Sequence, residues 1–68
     1  MGLEHKRFVM HLKSLRAKRG WSQAALSQRA GLTKEYIARL ELGQHDPSLS
    51  TLVKLAKALK MPVAELLV

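Results

Sequence analysis

Sixty-eight residues are enough for one domain with a single modest core, which excludes a second catalytic lobe. Hydrophobic residues make up 47% of the chain, more than a disordered segment carries, yet Phe8, Trp21 and Tyr36 are its only aromatics, so aliphatic helix packing has to supply the core. Twelve Lys and Arg against five Asp and Glu give a net charge of +7, a field that either attracts a polyanion such as nucleic acid or simply keeps the protein soluble.

The first helix is predicted from about His5 to Arg19, with Phe8, Leu12 and Leu15 at helical spacing and Gly20 as its stop. Ser22 then suits the N-cap of a second helix from Gln23 to about Ala30, with Trp21 placed to pack on Leu26 as a hydrophobic staple. After the break at Gly31, Thr33 caps a third helix running to about Leu42, and Leu32 and Ile37 form a second staple. A polar loop, Gln44 to Pro47, leads to Ser48, the cap of a fourth helix whose expected buried stripe is Leu52, Leu55, Ala56 and Leu59. Pro62 opens a last short helix that carries Leu66, Leu67 and Val68. No stretch of useful length alternates with strand period, and no linker or repeat divides the chain. The expectation is one all-α domain, residues 1–68, built as a compact bundle of five helices.

Catalysis finds little to work with. The sequence offers no nucleophile with a histidine partner, no carboxylate pair within one site and no phosphate loop, so an enzyme is the weakest function class. Cysteine is absent and His5, His11 and His45 lack a compact ligand spacing, so neither a metal nor a cofactor is expected, and no small-molecule ligand is evident. The N-terminal residues mix charge into their apolar positions and offer neither a signal-peptide core nor a spanning run of about 20 apolar residues, which leads to the expectation of a cytoplasmic protein away from the membrane.

Between Gln23 and Leu40 the apolar positions Leu26, Ala30, Leu32, Ile37 and Leu40, with Gly31 at the bend, let two short helices cross steeply and share one core. On the second of them Ile37, Leu40 and Glu41 point inward. Glu35, Ala38, Arg39 and Leu42 lie on the opposite face, and Thr33 and Lys34 sit at the N-terminal tip. A face of this shape can enter a groove about 12 Å wide. The stretch Gln23-Ala-Ala-Leu-Ser-Gln-Arg-Ala-Gly-Leu-Thr-Lys-Glu-Tyr-Ile-Ala-Arg-Leu-Glu-Leu-Gly43, continued by Pro47-Ser48-Leu49 and by Leu52 to Leu59, resembles the Cro/repressor-type helix-turn-helix family, often called XRE-like. Ser27, Leu42 and Lys60 depart from it: the family usually has alanine, a polar residue and glycine there.

The resemblance implies the lambda-repressor-like fold and a sequence-specific regulator of transcription, a repressor or a restriction-modification controller, that binds double-stranded DNA. It implies that Thr33, Lys34, Glu35 and Arg39 lie against base edges or the adjoining backbone, and that Gln23, Tyr36, Gln44 and His45 meet phosphates. Arg and Lys can donate to guanine O6 and N7, and Glu can accept from cytosine N4. The rival for Glu35 and Arg39 is a solvated i,i+4 pair worth about 0.3–0.5 kcal/mol, and for Lys18 and Arg19 a favourable interaction with their helix dipole. Arg16 and Glu41, each one turn beyond a core residue, are implied to form a partly buried ion pair that ties the first helix to the third. A homodimer on a pseudo-palindromic operator is expected, joined through Val63, Leu66, Leu67 and Val68 with Val53 adding to it; the alternative is that Val63 and Leu66 cap the monomer core. The competing function is an antitoxin-type module that binds DNA and a partner toxin protein.

Overall fold

A computed structural model describes residues 3–67 and contains five helices and, among the described residues, no strand. In chain order these are α1 (Leu3–Lys18), α2 (Gln23–Ala30), α3 (Lys34–Glu41), α4 (Leu49–Leu59) and α5 (Val63–Leu66). Three of the starts follow from one device. Ser22, Thr33 and Ser48 have extended backbones, and each hydroxyl accepts the N–H of the residue three positions on, Ala25, Tyr36 and Thr51 respectively.

The stops share a device too. At Gly31 the chain turns left-handed with φ 70°, its N–H donates to the Ser27 carbonyl, and the Leu32 N–H reaches the same oxygen at 2.9 Å. A Cβ at Gly31 would meet nothing within 4 Å, so the requirement for glycine there comes from the dihedral alone. Helix α4 closes in the same way at Lys60, with φ 57° and Met61 N–H bonded to the Ala56 carbonyl at 3.0 Å. An L residue in this region costs roughly 1 kcal/mol that glycine avoids.

All five helices contribute to one core. Phe8, Val9, Leu12 and Leu15 come from α1, Leu26 and Ala30 from α2, Ile37 and Leu40 from α3, Leu55, Ala56 and Leu59 from α4, and Leu66 from α5. Trp21 and Leu32, the residues before the caps of α2 and α3, pack against that cluster half-buried. The stripe expected on α4 needs one change: Leu52 is half-buried, and the buried residue of the first turn is Thr51. Its hydroxyl can be buried because Ser48 and Tyr36 both hydrogen-bond to it.

Helix α5 is the larger correction. Leu66, expected at a dimer interface, is 0% exposed inside the monomer core, and Val63 packs on the same cluster. His11 Nε2 donates to the Glu65 carbonyl at 3.0 Å and holds α5 on α1. Enclosed in this way, Leu66 has no surface left to offer. Leu67 is 52% exposed, and Val68 lies outside the described residues.

Candidate nucleic-acid interface

The third helix is an edge with two unlike sides. Ile37, Leu40 and Glu41 are buried, whereas Lys34, Glu35 and Arg39 are exposed, Ala38 is half-buried and Leu42 is exposed at the C-cap. Thr33 at the tip is exposed, and its oxygen accepts the Tyr36 N–H at 3.1 Å, which leaves its own O–H to donate outward. The two ion pairs found among the described residues are His5–Asp46 and Arg16–Glu41, so Glu35 and Arg39 do not form one with each other. All four predicted base readers, Thr33, Lys34, Glu35 and Arg39, therefore share one solvated strip, with small Ala38 between them.

What sets that strip in place lies behind it. Arg16 reaches Glu41 through two parallel bonds, Nε to Oε2 at 2.7 Å and Nη2 to Oε1 at 2.9 Å, and its Nη1 donates to the Trp21 carbonyl at 2.8 Å. Glu41 also accepts from Gln23 Nε2 at 3.0 Å. One carboxylate thus fastens the end of α3 to α1 and to the first residue of α2. The Glu41 hydrogen bond raises the Arg16 pKa above its ordinary value, with burial acting against it and the Glu41 charge adding to it. The geometry gives Gln23 a scaffold role that its position in the sequence did not announce. Its remaining N–H stays a donor at the start of α2.

The flank beyond α3 is a chain of hydroxyls and rings. Tyr36 is half-buried, with its hydroxyl 3.2 Å from Thr51 Oγ1, to which Ser48 Oγ donates at 3.1 Å. The Tyr36 ring lies 5.7 Å from that of His45, tilted by 39°. Gln44 and His45 are exposed, and the Gln44 N–H closes the end of α3 on the Arg39 carbonyl at 3.0 Å. From the far side His5 Nε2 donates to the His45 carbonyl at 2.9 Å and lies 3.1 Å from Asp46 Oδ1. Thr51 and His5 are the participants that sequence reasoning missed. The Ser48 and Thr51 spacing was a usable signal, but nothing local connects His5 to a loop 40 residues away.

Arg19 belongs to the scaffold as well, because its Nη2 donates to the Leu59 carbonyl at 2.7 Å and its Nη1 to the Leu15 carbonyl at 3.3 Å, joining the ends of α1 and α4.

Two capped helices, a left-handed glycine turn and an outward third helix are also what known proteins share with this chain. The Helix-turn-helix family model matches residues 12–66. The HTH-type transcriptional regulator SutR of Escherichia coli is 37% identical over 51 residues, covering 75% of this chain and 29% of that protein. The uncharacterized HTH-type transcriptional regulator YgzD of Bacillus subtilis is 37% identical over 54 residues, covering 79% of this chain and 82% of that one. The chain therefore spans less than a third of SutR's length but most of YgzD's. Among solved structures, the restriction-modification controller protein C.AhdI from Aeromonas hydrophila superposes with a TM-score of 0.84 at 39% identity, covering 87% of this chain and 89% of that one. These relatives give the antitoxin alternative no support. With its family match across α2 to α5 and the second half of α1, its all-helical bundle and its regulator relatives, the chain belongs to the XRE-type helix-turn-helix family of DNA-binding transcription regulators.

Proposed function

We propose that this protein reads a pseudo-palindromic operator as a homodimer, with α3 of each copy in the major groove, and acts in the cytoplasm as a repressor or a restriction-modification controller. The observation that carries the reading is the two-sided α3: Thr33, Lys34, Glu35 and Arg39 stand free on one face while the other is locked to the core and to Arg16. Gln23, Tyr36, Gln44 and His45 border that face on both sides and supply donors to the phosphates that flank the groove. The molecule measures 28 × 24 × 22 Å. One copy offers a single recognition helix that reaches only a few base pairs, so two copies on half-sites ~34 Å apart would read a site long enough to be selective.

Selecting bound duplexes from a random DNA pool tests the reading. Recovery of one inverted repeat whose half-sites are about ten base pairs apart is the expected result. A pool that emerges with no shared sequence would overturn specific recognition, and a single unrepeated motif would overturn the dimer.

A further inference from the structure

Most of the basic side chains are not on the recognition helix. Arg19, Arg29, Lys57 and Lys60 line a shallow cavity of about 510 Å3 around Trp21, and no acidic residue is among its walls. All four are exposed, and none enters either ion pair found among the described residues. The cavity is assembled from the C-terminal ends of α1, α2 and α4. Thr51, which touches α3 through Tyr36, stands at the other end of α4, roughly 13 Å from Lys60 along the helix axis at 1.5 Å per residue.

The arrangement is built rather than scattered. The Arg29 guanidinium lies 4.4 Å from the centroid of the Trp21 ring, which orients it, and Arg19 lies 5.8 Å from the same ring with its donors held by two carbonyls. Attraction to helix C-termini accounts for Lys57 and Arg19. Lys60 is different, since it places a cation on the rim at a left-handed position, φ 57°, that glycine would fill without strain.

We propose that this cavity docks an acidic peptide segment of a partner protein, with carboxylates on Arg29, Lys57 and Lys60 and an apolar stem on the Trp21 face. A narrow, flexible chain suits a concave site walled by an indole, because it brings anions and apolar groups together. Duplex DNA presents its phosphates on a broad convex rod and has nothing to lay against Trp21. No residue of α3 lines the cavity, so the partner docks while the groove is occupied.

The chain has one tryptophan, so Trp21 emission reports on the cavity directly. The test titrates the whole protein with a deca-glutamate peptide, free and bound to a DNA duplex at low salt. A saturable emission change that persists on DNA is expected, with affinity reduced about two- to fivefold in Arg29→Gln and in Lys57→Gln, as for the loss of one exposed charge contact. Lys60→Gly should lower peptide affinity while raising the Tm, a pair of opposite signs that misfolding does not produce. No saturable change, release of the peptide by DNA, or an equal response to inorganic phosphate at matched charge would each overturn the proposal.

Discussion

Arg39 ends the solvated strip of α3, free of any ion pair among the described residues and with five donors available for a base edge. Lys34 stands at the other end, beside the tip of the helix. If both read bases, Arg39→Ala and Lys34→Ala should each cost on the order of 1–3 kcal/mol of discrimination between the selected site and random DNA. Gln23→Ala has a different signature: it should weaken selected and random duplexes by about the same factor, because a phosphate carries no sequence information. Binding titrations of the three variants on both DNAs decide this, and an equal loss on both for Arg39→Ala would remove it from the base readers. Gln23 also shows where residue-level reading of a sequence stops. Its place at the start of α2 was legible from the Ser22 cap, whereas its bond to Glu41 joins residues 18 apart and depends on how two helices cross. Thr51 beneath Tyr36 and His5 beneath His45 were hidden for the same reason.

The helices themselves were largely legible, because caps and stops are local chemistry. Ser22, Thr33 and Ser48 mark three starts through a hydroxyl and an N–H three residues on, and Gly31 marks a stop through its dihedral. The role of α5 was not, since its apolar residues were expected at an interface, with Val63 and Leu66 in the core only as the alternative, and the bundle closes around Leu66. Between elements, the Glu41 carboxylate is the fastening with the most to lose: its side chain is 3% exposed, and it serves both Arg16 and Gln23. Glu41→Ala leaves the Arg16 guanidinium poorly compensated and should destabilise the fold by about 3 kcal/mol. For a domain of this size that is a fall in Tm on the order of 20 °C. Arg16→Ala and the double variant complete a thermal-melt cycle in which the two single losses should not add. Independent, additive losses would mean that the pair contributes nothing. Lys60→Gly should move the other way, a gain of about 0.5–1 kcal/mol from relief of the left-handed backbone, and an unchanged or lower Tm would contradict that account.

At the scale of the whole molecule, charge and the proposed pairing of two copies have to work together. A net charge of +7 on a surface of 4400 Å2 attracts DNA, so the basic charge supplies affinity, while in the proposed dimer the pairing of two copies would supply register. If each protomer neutralises about three phosphates, log K should fall against log salt with a slope of roughly −5. A flat response between low and physiological salt would remove the electrostatic part of the reading. A stable interface takes about 800 Å2 per partner, close to a fifth of this surface, and with Leu66 enclosed α5 cannot supply it alone. The proposed dimer would therefore need an interface that extends from exposed Leu67 and half-buried Val63 onto α4, where Val53 is half-buried. Leu67→Lys places a charge on the most exposed apolar side chain of that patch without touching the core, so it should leave the Tm of dilute protein nearly unchanged while shifting sedimentation at micromolar concentration from dimer to monomer. It should also weaken binding to the inverted repeat much more than binding to a single half-site, because one anchored copy would no longer recruit the second. A wild type that sediments as a monomer both free and on the inverted repeat would defeat the dimer. A Leu67→Lys protein that still pairs would place the interface on another face.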